Sequence, residues 1–284
     1  MKSENIAKSP CIVITVVYNS QKHLEKWFQA IRLQTTIPKQ VILVDTGSKD
    51  KSYLDPYRKF VTVVEAPAES GFCKGNNIGW QEIDPEIKYV LFLNPDAFLS
   101  PSFIDDAIAI MEEPANSKCG ALTGLLHGYD IGSDMPTGLY DSTGIFRTSW
   151  GHWYDRDQGK GIETAALKNR EAIPAICGAC IFARRSALES VLIRGEEVFD
   201  NSFYMYKEDI DLSLRLRNRG WTLQLEPDLK AYHCRGWQAD RHKMPKKMRL
   251  SSAKNELTLH VRQREAIPTL YSACKYLAVK YLNM

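Results

Sequence analysis

Along its first hundred residues the chain alternates short continuous apolar runs with stretches whose apolar positions recur every three or four residues. Cys11-Ile-Val-Ile-Thr-Val-Val17 is largely β-branched and has no polar face, which predicts a strand covered on both sides. After it, Leu24, Trp27, Phe28 and Ile31, with Gln34 beside them, fall on one side of a helix over Gln21 to Gln34. Ser20 is its expected cap. Val41-Ile-Leu-Val44 and Val61-Thr-Val-Val64 predict the second and third strands. Gly71-Phe-Cys-Lys-Gly-Asn-Asn77 reads as a loop that leads into a short helix ending near Glu82. Tyr89 to Leu93 predicts a fourth strand, and Ser100-Pro101-Ser102 opens another helix. Strands spaced by helical patterns form βαβ units, so the expected class is α/β with an open, mostly parallel sheet.

The second half is less periodic. Leu212 to Arg219 reads as a helix closed by Gly220, with Glu208, Asp209 and Asp211 in its first turn, where the dipole favours negative charge. Those carboxylates are either helix-end stabilisers or site residues. A short β-like run, Leu229 to Tyr232, precedes His233, which is either structural or a metal ligand. Cys177-Gly-Ala-Cys180 lies in what reads as a buried strand. With no second pair beside it, cysteine there acts as a small apolar residue rather than a zinc ligand. Residues 124–174 show no clear period and read as a long loop region, either an ordinary irregular insert or a surface whose aromatics (Trp150, Trp153, Tyr154) stack on a ligand.

Composition narrows the setting. A chain of 284 residues, 44% hydrophobic and 25% charged, is an ordinary soluble enzyme of one large or two closely packed domains. No apolar run approaches the roughly 20 residues of a spanning helix. The N-terminus lacks the apolar core of a signal peptide, and seven cysteines without framework spacing suit a reducing cytosol. From Arg235 onward, eleven lysines and arginines face three acids, a balance of +8, beside a helical Tyr271 to Leu282 stretch. That asymmetry suits anionic headgroups or a lipid-diphosphate acceptor, or else belongs to a solvated basic helical tail. Aromatics are not interleaved with the basic cluster between Arg241 and Arg249, so nucleic acid is not an expected partner.

Chemistry gathers at the strand ends, where open α/β sheets bind ligands. Three of them present Asn19, Asp45 and Asp96. Asp45 can hydrogen-bond the base or ribose of a nucleotide, and Gly71 and Gly75 can let backbone approach a phosphate. Asp96 is either placed to hold a divalent metal against a diphosphate or part of a strand end that leads into a helix cap at Ser100-Pro101-Ser102. Neither the Walker pattern nor GxGxxG occurs, which excludes a P-loop ATPase and the usual dehydrogenases.

Seven segments together resemble a family. Ile14-Thr-Val-Val-Tyr-Asn-Ser20, Val44-Asp-Thr-Gly-Ser48, Gly71-Phe-Cys-Lys-Gly-Asn-Asn-Ile-Gly79 and Leu93-Asn-Pro-Asp96 occur in the order seen in inverting glycosyltransferases of family 2. Gly178 to Arg185, Phe199 to Asp211 and Tyr232-His233 follow in that order too. The chain is similar to the bacterial rhamnosyltransferase-like branch, which builds surface polysaccharides. The resemblance implies a GT-A fold: residues 1–237 as the transferase domain, with 10–100 binding the nucleotide sugar and 101–237 the acceptor. Residues 238–284 form a basic helical extension. It implies Val17, Asn19, Asp45, Gly71, Lys74, Asn76 and Asn94 along the donor, and Mg²⁺ or Mn²⁺ at Asp96 and His233. It also implies Asp209 as catalytic base with Glu208 beside it. Asn94 stands where the family's Asp-x-Asp has its first acid, which leaves Asp96 as the one strong anionic ligand of that loop. A nucleoside-diphosphate sugar (dTDP-rhamnose or a UDP-sugar) and a glycan or lipid-linked acceptor are the implied partners. The implied location is the cytoplasm, peripheral on the inner face of the membrane. A non-catalytic nucleotide-sugar-binding module and a nucleotidyltransferase are the alternatives.

Overall fold

An apolar run without a polar face needs neighbours on both sides, and β1 (Cys11–Val17) has them in β2 (Gln40–Asp45) and β4 (Tyr89–Leu93). With β3 (Thr62–Glu65) at the edge, these strands form a fully parallel set in the order β3-β2-β1-β4. The computed structural model of the chain describes residues 9–164, 167, 169–234 and 245–282.

Helix α1 (Gln21–Arg32) buries Leu24, Trp27, Phe28 and Ile31, the face expected of it. Gln34 lies just past its end and is also buried. Its amide donates to the carbonyls of Ala30 and Ser100 and accepts from the Ile104 N–H, fastening α1 to the start of α3 (Phe103–Glu112). Ser20 occupies the cap position, but its hydroxyl accepts from the Tyr18 N–H rather than from the helix.

The glycine-rich segment departs from expectation. It is α2 (Gly71–Gln81), helical from its first glycine. Its glycines answer to packing: a Cβ on Gly75 would lie 2.8 Å from Val16, and one on Gly79 would lie 2.6 Å from Ile14. Helix α2 therefore sits unusually close on β1, and residues of poor helix propensity are required there.

The rest of the sheet is mixed. β11 (Cys180–Arg184) runs antiparallel between β4 and β6 (Cys119–Asp130), and β12 (Thr222–His233) pairs parallel with β6. β5 (Ala97–Leu99) and β10 (Glu171–Ala172) add to β12, and β7 (Met135–Ser142) adds to β6. The central order is β10-β12-β6-β11-β4-β1-β2-β3. β8 (Ile145–Arg147) and β9 (Trp153–Asp155) form a separate hairpin. Residues 124–174 thus hold the end of β6 and all of β7, β8, β9 and β10, with turns between them, rather than the one long loop expected. Five of the eight residues of β7 are exposed, which erases the alternation a half-buried strand would show.

Helix α4 (Arg185–Glu189) packs on β11 and β6, and α5 (Glu208–Asn218) on β12. Gly220 ends α5 at φ +85°, as the sequence predicts. The C-terminal helices α6 (Lys246–Arg262) and α7 (Ala266–Leu277) pack against each other, and a short π-turn over Ala278–Leu282 follows. Ala253, Asn255, Glu256, Leu259 and His260 of α6 are buried, so this segment is docked onto the body. The expected boundary at 237/238 lies outside the described residues, as do Arg235, Arg241 and Lys243. No helix among the described residues is long and apolar enough to cross a membrane.

Candidate active site

The parallel strands end together. Val17 closes β1, and its carbonyl accepts the N–H and the hydroxyl of Thr46. Asn19 follows at φ +49°, a left-handed conformation that asparagine tolerates better than most residues. Its N–H donates to Ser48 Oγ and its side-chain carbonyl accepts from the Lys49 N–H, so it ties the ends of β1 and β2 together. Asp45 is fully buried. Its carboxylate accepts from the N–H groups of Gly47 and Ser48, with Lys51 Nζ 3.8 Å away.

Helix α2 borders this edge. Gly71, at φ +69°, has no room for a Cβ because Tyr204 lies 2.7 Å from where it would stand. Lys74 is exposed, whereas Asn76 is buried and spends its amide on the Phe72 carbonyl. Asn77 reaches across the molecule: its amide donates to Phe199 O and Asn201 Oδ1 and accepts from the Phe199 N–H.

At the end of β4, Asn94 donates its N–H to Ala179 O and accepts from the Ala97 N–H. Asp96 faces His233 of β12, with Nε2 3.4 Å from Oδ1. His233 is in turn held through Nδ1, 2.8 Å from Asp141 on β7. As a carboxylate, Asp141 accepts from Nδ1, which leaves Nε2 directed at Asp96. Burial works against a charged imidazole, but Asp141 and Asp96 outweigh it and push His233 up to about 9. Burial likewise opposes ionisation of Asp96, yet its bond to His233 brings the carboxyl below the usual range. His23, in the first turn of α1, feels the Asp96 charge as well, although burial dominates and lowers it. Asp141 and His23 were not singled out from sequence. Asp141 sits in a segment without period, and a lone histidine at the start of a helix carries no signal.

The carboxylates at the start of α5 are sorted by their surroundings. Asp211 is buried between Arg215 and Arg262, 2.8 and 3.1 Å away, which makes it a structural ion-pair centre. Glu208 is buried, and its Oε2 has no partner among the described residues. Burial, then the charge of Asp209, push it up to about 8. Asp209 is partly exposed, and accepts from the N–H groups of Gly178 (3.0 Å) and Ile210 (2.8 Å). Burial still raises its titration, helped by the charge of Asp155 on β9. With two donors on Asp209 and none on Glu208 Oε2, the negative charge of the pair resides on Asp209. The 177–179 turn carries both Gly178 and Ala179, so it links Asp209 directly to Asn94.

The approach to α5 is strained. Tyr206 and Lys207 adopt φ +73° and +72°, left-handed in succession without a glycine. Such residues cost of order 1–3 kcal/mol each unless their surroundings hold them. The buried Asn255 of α6 does so, donating to the carbonyls of Met205 and Tyr206 at 2.9 and 2.8 Å. Sequence reading gave no hint of this contact.

Comparison with known proteins follows the same lines. The model of the family described as Glycosyl transferase family 2 matches residues 12–192, well over half of the chain. The chain is 26% identical over 247 residues to the N-acetylglucosaminyl-diphospho-decaprenol L-rhamnosyltransferase of Mycobacterium tuberculosis, covering 78% of this chain and 75% of that protein. GalNAc-T7, solved with UDP, GalNAc and Mn²⁺, superposes with a TM-score of 0.65 at 15% identity. That match covers 91% of this chain but 48% of the other, so the chain spans about half of its length. The mannosyltransferase PcManGT from Pyrobaculum calidifontis, with GDP-Man and Mn²⁺, gives 0.59 at 15% identity, covering 99% and 74%. Both solved structures share the GT-A fold, and the sheet described above is of that type.

Proposed function

The chain belongs to glycosyl transferase family 2, and from that premise we propose that it transfers its sugar with inversion. The donor is a nucleoside-diphosphate sugar, dTDP-rhamnose or a UDP-sugar. The acceptor is a hydroxyl of a glycan or of a lipid-linked intermediate in surface polysaccharide synthesis. The activity named for the mycobacterial relative supports the rhamnosyl and lipid-linked choices. The observation that carries the proposal is the Asp209 carboxyl, which accepts the Gly178 N–H beside the loop at the end of β4.

In this reading Asp209 takes the proton of the acceptor hydroxyl as its oxygen attacks the anomeric carbon. The bond from that carbon to the diphosphate breaks on the opposite face, and the nucleoside diphosphate leaves. Burial raises the Asp209 carboxyl, which makes it a stronger base. Glu208, pushed up to about 8, is a neutral acid at pH 7 and stays out of the proton transfer. Asn19 and Asp45 shape the nucleotide edge, with Lys74 exposed nearby on α2 to meet phosphate charge. Trp150 and Tyr154, whose rings are exposed, would offer faces to an acceptor sugar.

The donor set at Asp96 and His233 fits a divalent cation that would take the place of the proton on His233 Nε2. Metal-bound histidines commonly give their second N–H to a carboxylate, as His233 does to Asp141. Among the described residues no third His, Cys, Asp or Glu joins them, so Asp96 and His233 are the side chains that would hold Mg²⁺ or Mn²⁺. Bound there, Mg²⁺ or Mn²⁺ would neutralise the departing diphosphate.

The decisive assay offers dTDP- and UDP-sugars with Mn²⁺ and a lipid-linked or short glycan acceptor. It measures nucleoside diphosphate release and the anomeric configuration of the product. Release with an inverted product is expected. Pyrophosphate release would point to a nucleotidyltransferase, and binding without turnover to a non-catalytic module, the reading Asn94 favours. Asp45→Ala should weaken free nucleoside diphosphate and intact donor equally. The proposal extends to a cytoplasmic location, peripheral on the inner membrane face, with Lys243, Lys246, Lys247 and Arg249 as the attracting residues.

A further inference from the structure

Helix α7 has its apolar face on the wrong side for a folded core. Ile267, Leu270, Tyr271, Cys274 and Leu277 follow the i, i+3, i+4, i+7, i+10 spacing of a single helix face. Ile267, Leu270, Tyr271 and Leu277 are 71%, 69%, 59% and 50% exposed, while Ser272 of the same helix is fully buried. Tyr281 and Leu282 prolong the exposed face, both at 69%. Scattered surface leucines are ordinary, but an aligned stripe of this length marks a surface made to be covered.

Charge identifies what covers it. From Ala266 to Met284 there is no acid, and the only ionic residues are Lys275 and Lys280. Lys280 lies 5.1 and 5.7 Å from the Tyr281 and Tyr276 rings, a pairing of cation and aromatic that suits a membrane–water interface. A second copy of the chain is disfavoured, because it would set one +8 segment against another. An anionic bilayer accepts both the stripe and the charge. We infer that α7 lies in the plane of an anionic lipid bilayer, with its Ile267–Leu277 stripe turned to the acyl chains. The inference deepens the peripheral-membrane reading above: the basic residues attract, and α7 inserts. Nor is α7 a loose tether. Lys275 bonds Glu256 of α6 at 2.5 Å, and Glu265, just ahead of α7, bonds both Arg147 and His260. Insertion of α7 therefore orients the whole catalytic body, and a lipid-linked acceptor would reach the site at a fixed height.

Cys274 is the one exposed cysteine of seven and sits within the stripe, so an environment-sensitive fluorophore can be attached there selectively. The full chain is mixed with phosphatidylcholine vesicles containing about one third phosphatidylglycerol, and with phosphatidylcholine alone. The expected result is co-sedimentation with the anionic vesicles and a blue shift of the Cys274 label. Leu270→Glu with Leu277→Glu should reduce binding at least about tenfold while leaving transfer to a short soluble acceptor unchanged. Binding that persists in the double variant with a silent label overturns the proposal. If neutralising Lys246, Lys247 and Arg249 then abolishes it, electrostatic attachment stands without insertion. A dimer in solution that the double variant dissociates, with no vesicle binding, overturns it in favour of a second copy. Vesicle binding needs no turnover, so a failed assay of transfer leaves this test intact.

Discussion

Asp96 and Asp209 are acids of the same kind at two corners of the candidate site, and their surroundings drive them in opposite directions. Burial disfavours ionisation of both. At Asp96 a charged His233, itself anchored by Asp141, reverses the effect and lowers the carboxyl. At Asp209 backbone N–H groups from Gly178 and Ile210 oppose burial but do not overcome it, and the carboxyl stays raised. The difference divides the labour. One carboxylate is a fixed negative charge suited to a cation, and the other is a base with affinity for a proton. If the comparison holds, substitutions at the two corners must fail in different ways.

The largest effect is expected at the base. Asp209→Asn keeps the shape and the contacts with two N–H donors as far as its carbonyl allows, but cannot take a proton. Turnover should fall by about 10²–10⁴ with donor affinity within a few-fold. Turnover close to wild type would remove Asp209 from the proposal. In the wild type, turnover should rise with pH along a limb centred above the ordinary carboxylate range, because the base must be ionised. A limb at or below that range would mean that another group titrates.

Asp96→Ala should leave turnover of saturated enzyme less affected, and act instead on the nucleotide. In Mn²⁺ the affinity for nucleoside diphosphate should fall about 10–100-fold, with little change in chelator. Equal weakening in both conditions would make Asp96 a structural residue, and the contrast with Asp209 would collapse.

Asp141→Asn sharpens the contrast one step further from the cation. The mutant should need about tenfold more Mn²⁺, since His233 loses the carboxylate that orients it. In metal-free protein, proton NMR should show His233 titrating nearer 6.5 than the wild-type value of about 9. The linkage has a definite sign. A folded-state value above 6.5 means that folding takes up a proton, so this group's contribution is complete below about pH 6.5. It disappears as pH rises through about 9, and the Asp141 mutant should show a flatter profile across that window. An unchanged His233 titration would detach Asp141 from the metal corner.

The two corners were not equally legible. Asp45, Asp96 and Asp209 lie at element ends that local pattern marks: β-branched runs stop, or a helix begins. The parallel strands were readable because burial on both faces demands continuous apolar sequence, as in β1 and β4. The end of α2 near Glu82 was readable but its start was not, since glycines there contradict helix propensity and are explained only by contact with Val16 and Ile14. Asp141 was hidden in β7, where exposure removes alternation, and its bond to His233 spans 92 residues. Asn255 was hidden for a related reason: in a basic helix it looks like one more polar surface residue, yet it is 3% exposed. What the sequence withheld in each case was a long-range contact.

The smallest expected effect tests whether the Asp209 corner depends on its support. Asn255→Asp is nearly isosteric, but it removes both N–H donors from the carbonyls of Met205 and Tyr206 and sets a negative charge against them. The Tyr206 carbonyl loses the amide and Met205 O keeps only the Ser251 hydroxyl at 3.4 Å, at about 1–3 kcal/mol in all. The consecutive left-handed residues Tyr206 and Lys207 lose the contact that holds them, and Glu208 and Asp209 follow immediately in the chain. Loosening should therefore reach the base before it reaches the nucleotide edge, which rests on β1, β2 and α2. The expected outcome is about a tenfold fall in kcat, with KM for the donor within about twofold, and a modest drop in Tm. Asn255→Gln, which keeps the amide, should recover part of the lost turnover. A lower Tm with unchanged kcat would show that the clasp stabilises the fold without positioning Asp209. A parallel rise in donor KM would show that the two corners are mechanically one.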